Sequence, residues 1–298
     1  MKVDMNNLDI DIVYSEWLPL QSIKLKFDNT IIKFSCNDKE IIKKMENFYE
    51  KIDEKRYSGE LIYITKQKSD RKYLAPYDSE EHRLIIEGIP DFGYIKSLLL
   101  GLLGHLQEKD GKYVLHSGIS GDIAYIGPTE AGKTTHSILE TKKGSNFLTD
   151  DWSYFKKNVA YRIEDNIMLS KNFVDLLNLD LELDNKNFSG REKYIFKISD
   201  LFENSSESQE VNNFVLLLPK KGINTIQDVN EKEFVNYVIK STYHLPFNYF
   251  DKEYNNKNTE ERKKFWEKIY ENSDNVFAIS TRNLDPIKTH KLIDKHLK

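Results

Sequence analysis

Gly127-Pro128-Thr129-Glu130-Ala131-Gly132-Lys133-Thr134 fits the pattern Gly-x-x-x-x-Gly-Lys-Ser/Thr without a mismatch, and Thr135 follows directly. Residue types in this order can hold a chain of phosphates. The glycines let backbone N–H groups close around phosphate oxygens, and a helix opening after the loop adds the positive end of its dipole. Lys133 would reach the β- and γ-phosphates, and the Thr134 hydroxyl would be a ligand of Mg²⁺. The ligands to expect are therefore a nucleoside triphosphate and Mg²⁺. Sixteen and seventeen positions beyond Thr134 stand Asp150 and Asp151. Phosphoryl transfer needs an acid near the metal and an acceptor for the proton of the attacking hydroxyl. Neighbouring side chains at a strand end point different ways, so one Asp can serve each task. A solvated Asp-Asp turn is the plainer alternative.

The flanks of the loop suit that chemistry. Asp122–Ile126 is short, apolar and partly β-branched, as a buried strand should be, and Lys133–Glu140 has no Gly or Pro to interrupt a helix. Lys112–Ile119 reads as a strand closely joined to Asp122–Ile126 through Ser120-Gly121, an arrangement unusual for an ordinary doubly wound nucleotide-binding domain. It carries His116. A lone strand histidine is more often a structural hydrogen-bonding residue than a catalytic one. Beyond the Asp pair, Trp152–Lys156 and Val159–Ile163 form a strand pair, and Asp180–Gly190 is a polar loop before Arg191 and Lys193. Those two cations could face transferring phosphates or simply lie on the surface. Phe214–Leu218 and Val276–Ser280 are apolar strands, and Glu231–Thr242, Asn258–Glu271 and Pro286–Leu297 are helices.

The residues before this core form a second pattern. Gln21–Phe27 and Thr30–Cys36 alternate around Asp28-Asn29 as a hairpin, and Asn37-Asp38 can cap a helix running to Ile52. With strands at Leu61–Thr65 and Arg83–Glu87 they make a small α+β unit over residues 1–90, without a chemical motif and open to substrate binding, homo-oligomerisation or a structural role. The Leu98–Leu106 stripe defines a helix over Asp91–Gln107 that opens the second domain, residues 91–298.

Bulk properties narrow the class. The 298 residues are 39% hydrophobic and 31% charged, with a net charge of −4. Broad electrostatic binding of nucleic acid is not expected at that charge. The single Cys36 permits no intramolecular disulfide and no multi-cysteine zinc site, and the other histidines show no metal-ligand spacing. The opening Met1–Asn7 is polar and no apolar run is long enough for a bilayer, so no membrane partner and a cytoplasmic location are expected.

The run Val114-Leu115-His116-Ser117-Gly118, the strand Ile123–Ile126, the phosphate loop and Phe147-Leu148-Thr149-Asp150-Asp151 together resemble the HPr kinase/phosphorylase superfamily, whose core is shared with ATP-dependent phosphoenolpyruvate carboxykinases. The resemblance covers residues 94–156 and does not reach residues 1–90. It implies an α/β fold with a kinase core on a mixed central sheet, and an ATP- and Mg²⁺-dependent kinase acting on a hydroxyl. Lys133 and the loop amides would hold the triphosphate. Thr134 and Asp150 would serve the metal, Asp151 would be the base, and His116 would lie near the reacting phosphate. Arg191 or Lys193 would match the family's basic residues beyond the core. The family's Leu-Glu-Ile-Arg-Gly-Leu-Gly segment is absent downstream of the Asp pair, which makes HPr itself a doubtful acceptor. A protein or peptide serine is the first choice, and an amino acid, sugar or nucleoside the alternative. A nucleotide-sensing regulator with little turnover is the competitor from another class.

Overall fold

The computed structural model describes residues 20–65, 72–78, 82–177, 185–188, 191–218, 226–243, 252–280 and 285–298. The chain divides into two compact units, Met1–Leu106 and Gln107–Lys298.

The first unit holds a six-stranded mixed sheet. Its strands are β1 (Gln21–Phe27), β2 (Thr30–Cys36), β3 (Lys51–Ile52), β4 (Gly59–Thr65), β5 (Lys72–Asp78) and β6 (Arg83–Gly88), in the order β3-β1-β2-β4-β6-β5. The hairpin turns at Asp28, whose φ of 52° is left-handed. Helix α1 (Lys39–Phe48) starts where Asp38 accepts from the backbone N–H groups of Glu40 and Ile41. It stops four residues short of the expected Ile52, because Tyr49 turns extended and Lys51–Ile52 pairs with β1. Helix α2 (Phe92–Glu108), capped by Asp91, belongs to this unit through Leu106, so the division falls after Leu106 rather than at residue 90. Phe92 meets Phe48 edge-on, and Tyr94 meets Tyr63. Ile95, Leu98, Leu99, Leu100, Leu102 and Leu103 are all buried, so the apolar surface extends around most of the helix. An all-round apolar helix does not declare which sheet it will cover.

The second unit is built on a nine-stranded mixed sheet. It contains β7 (Tyr113–Ser120), β8 (Ile123–Ile126), β9 (Phe147–Thr149), β10 (Trp152–Lys156), β11 (Val159–Arg162), β15 (Ser208–Glu210), β16 (Asn213–Leu218), β17 (Ile226–Asp228) and β18 (Asn275–Ser280). The order is β15-β11-β10-β7-β8-β16-β18-β17, with β9 paired to β7. Strands β8, β16 and β18 run parallel, whereas β7 pairs antiparallel with β8, β9 and β10. Burial on both faces explains the continuous apolar runs. Ala124, Ile126, Phe214, Leu216 and Ala278 face a core closed by α6 (Glu231–Thr242) and α7 (Lys252–Glu271), with Trp266 fully buried. Ile123, Tyr125, Val215, Leu217, Phe277 and Ile279 face the opposite way, toward Ile293 of α8 (Pro286–Leu297).

Helix α3 (Lys133–Thr141) follows β8 through the loop of residues 127–132. Its Ile138 joins a third core with Ile167 and Leu169 of β12 (Asn166–Ser170), Val174 of α4 (Lys171–Leu177), Tyr194 of β14 (Arg191–Lys197) and Ile198 of α5 (Ile198–Leu201). Strand β14 also pairs with β13 (Asn185–Phe188), so part of the expected Asp180–Gly190 loop is strand; residues 178–184, 189 and 190 lie outside the described residues. Among the described residues no helix is long and apolar enough to cross a membrane.

Candidate functional site

The loop between β8 and α3 is shaped by close packing. A Cβ on Gly127 would lie 2.7 Å from Ala131 Cβ and 3.0 Å from the Leu217 carbonyl oxygen, so the loop can fold back over β16 only with glycine there. Gly132 caps α3 at φ 101°, and Glu130 takes a left-handed φ of 68°, a strained state for a residue with a side chain. The Ala131 N–H donates to the Pro128 carbonyl at 3.1 Å, closing the turn through Thr129. Among the described residues no side chain caps the helix, so its first N–H groups are left for an anion. Lys133 is buried, and its Nζ donates to the carbonyls of Gly127 at 2.8 Å and Pro128 at 3.2 Å. Burial lowers the Lys133 pKa, while Asp151 and Asp150 oppose that shift, so both carboxylates act electrostatically on this ammonium. Thr134 Oγ1 donates to Asp150 Oδ2 at 3.2 Å, while Thr135 lies beside it in the first turn.

The Asp pair occupies the break between β9 and β10. The break is held locally: Thr149 Oγ1 donates to the Trp152 carbonyl at 3.2 Å and accepts from the Asp151 N–H at 3.4 Å. It is also held from β7, where the Ser117 N–H donates to the Asp151 carbonyl at 2.9 Å. These bonds place the two side chains apart, Asp150 toward Thr134 and Asp151 toward His116. His116 Nε2 lies 2.9 Å from Asp151 Oδ1, with the imidazole stacked on Trp152 at 5.1 Å and 11°. Burial lowers the His116 pKa and the Lys133 charge adds to this; Asp151 and a backbone hydrogen bond with Ser241 pull the other way. The ring is therefore neutral near pH 7.

The structure thus gathers the loop, Lys133, Thr134, Asp150, Asp151 and His116 in one place. Arg191 opens β14 opposite Phe188, but its side chain lies outside the described residues; Lys193 pairs with Ser170 in the same small sheet. Sequence reasoning gives no role to Gly118 and Trp152. Gly118 stands two residues after His116 on β7 and so shares its face. A Cβ there would lie 2.8 Å from the Lys133 carbonyl oxygen, so its absence lets the start of α3 approach this strand. The Gly118 signal is present in the His-Ser-Gly run, but only the crossing helix gives it meaning.

The donor set suits the expected ligands. An uncapped helix end, a buried ammonium and a glycine-lined loop match a polyphosphate, and the Thr134 and Asp150 oxygens match a hard divalent cation. No family model matches this sequence, and no curated protein matches it. Among solved structures, the chain is similar to the HPr(Ser) kinase/phosphatase from Coxiella burnetii at 12% identity, with a TM-score of 0.33, over 61% of this chain and 89% of that chain. The likeness is distant, and the roles of the site residues rest on this chain's own geometry.

Proposed function

We propose that the second unit is an ATP- and Mg²⁺-dependent kinase that transfers the γ-phosphoryl group to a hydroxyl, with a protein or peptide serine as first-choice acceptor. The observation that carries this reading is the split of the Asp pair, Asp150 on Thr134 at 3.2 Å and Asp151 on His116 at 2.9 Å, beside the Gly127–Thr134 loop. In this reading the loop amides and Lys133 bind the β- and γ-phosphates. Thr134 and Asp150 would hold Mg²⁺, which would supply charge neutralisation at the phosphate oxygens. Asp151 takes the acceptor's hydroxyl proton as that oxygen bonds to the γ-phosphorus. The bond from the γ-phosphorus to the β,γ-bridging oxygen breaks, and ADP leaves. The neutral His116 ring, fixed by stacking on Trp152, orients the Asp151 carboxylate for this task.

A small-molecule acceptor is the alternative, and its site would lie on the same Asp151 side. The test is ADP release from Mg-ATP in the presence of seryl peptides, amino acids, sugars and nucleosides in turn. Stimulation by one class, with transfer of a labelled γ-phosphate to it, supports the kinase. Tight ATP binding with no stimulated turnover favours a nucleotide-sensing regulator instead.

A further inference from the structure

A second cluster of titratable groups lies where the last turn of α3 meets α8. Glu140, His290 and Asp294 each offer one ligand atom, and these atoms lie within 4.8 Å of one another. His290 Nε2 is 3.3 Å from Glu140 Oε2 and 3.8 Å from Asp294 Oδ1. His290 is only 5% exposed, yet among the described residues its Nε2 has no partner in hydrogen-bond geometry. Tyr125 is fully buried, and its hydroxyl likewise has no hydrogen-bond partner among them. Burial raises the Tyr125 pKa and the Glu140 and Asp294 charges raise it further, so the phenol feels the same two carboxylates.

The other nitrogen of His290 explains the arrangement. His290 Nδ1 meets His136 Nδ1 at 3.3 Å, with the rings stacked at 23°. Either ring can donate across this contact. The tautomer in which His290 Nδ1–H donates to His136 turns the Nε2 lone pair toward the two carboxylates. That is the tautomer of a metal-binding imidazole whose outer nitrogen is fixed by a second hydrogen bond. A lone pair beside carboxylates is repulsive unless a cation lies among them. Glu140 Oε1 accepts from Ser145 Oγ at 2.7 Å, a bond that orients the carboxylate. Lys143 Nζ contacts both Glu140 and Asp294, and its side chain is 42% exposed, with water on hand to receive the ammonium.

We propose that Glu140, His290 and Asp294 form a divalent transition-metal site of the zinc class, in which the ion replaces the Lys143 ammonium and ties α3 to α8. One imidazole nitrogen and two carboxylate oxygens suit Zn²⁺ better than Mg²⁺, which takes oxygen ligands. Lys133 and Thr134 open α3 and Glu140 lies in its last turn, so the ion would anchor the end of the helix opposite the proposed nucleotide site.

The test is Zn²⁺ titration of the full chain, stripped with chelator, by calorimetry, with the visible absorption of Co²⁺ as a second readout. One ion per chain is expected. His290→Asn and Glu140→Gln should each weaken binding by about tenfold or more. Lys143→Met removes the competing ammonium, so it should tighten binding by about tenfold and gain more thermal protection from Zn²⁺ than wild type. That gain keeps the test decisive if the first two variants fold poorly. No Zn²⁺ binding by wild type, binding untouched by His290→Asn and Glu140→Gln, or weaker binding by Lys143→Met would each overturn the site. The readout is metal binding alone, so its outcome is separate from that of the kinase reading.

Discussion

Gly118→Ala probes how the site is held together. The added Cβ would sit 2.8 Å from the Lys133 carbonyl oxygen, 3.0 Å from its carbon and 3.0 Å from Ser137 Oγ, where ordinary contact begins at 3.4 Å. The first obstacle is backbone, so rotating Ser137 does not relieve it; the start of α3 must retreat by about half an ångström. Overpacking of this kind costs about 1–3 kcal/mol. For a domain of this size that lowers Tm by about 3–10 °C. The same retreat moves Lys133 and Thr134 away from Asp150 and the loop, so ATP affinity should fall and kcat/KM drop by about tenfold or more. Gly144→Ala is the control. Its φ of 105° makes alanine strained, but none of the described residues lies within 4 Å, so it should cost about 1 kcal/mol or more without touching nucleotide binding. Thermal unfolding and ATP titration on both variants decide the matter. If Gly118→Ala loses stability but binds ATP like wild type, packing of α3 on β7 does not control the proposed nucleotide site.

Lys133→Ala should weaken ATP binding by at least about tenfold in a direct titration, because it removes the buried ammonium that now braces the Gly127 carbonyl and, in the proposed reading, binds the phosphates. Stability should also fall in acid. His116 and His136 both have lowered pKa values in the folded chain, so below about pH 6.5 the unfolded state binds protons that the folded state does not. His136, held at about 3, should by itself cost about 2 kcal/mol between pH 7 and pH 5, measured as a falling urea midpoint in the presence of chelator. A flat profile over that window would contradict the neutral, buried rings. Arg262→Met should destabilise by about 3–5 kcal/mol, since Arg262 and Glu108 form a buried two-bonded pair at 2.7 and 2.9 Å. Adding Glu108→Leu should recover part of that loss in the same unfolding assay.

The local parts of the site are readable in the chain. The strand, loop and helix around Gly127–Thr134 sit within about twenty consecutive residues, and their turn chemistry and apolar pattern agree. Helices α6 and α8 likewise carry their own caps, Asn230 with Glu233 and Asp285 before Pro286. What stays open in the sequence depends on pairing between distant segments. Whether His116 is structural or functional turns on β10 lying beside β7, a register set by backbone bonds that side-chain pattern does not encode. Helix α2 reads as part of the second unit because it precedes β7, but its nearly continuous apolar surface fits any sheet. Strand β13 reads as loop because Asn-rich composition suppresses the alternation that marks strands. The His136–His290 contact joins residues 154 positions apart, and spacing rules for metal ligands do not see that far.

Asp151 touches His116; in the proposed chemistry it would take the acceptor's proton, and Lys133 and Thr134 would carry the nucleotide. The decisive measurement is acceptor-stimulated ADP release from Mg-ATP by wild type and Asp151→Asn, with ATP affinity measured on the same preparations. Asp151→Asn should bind ATP about as well as wild type and turn over about a hundredfold more slowly or worse. Equal stimulated turnover in Asp151→Asn would contradict the assignment of the phosphoryl-transfer site.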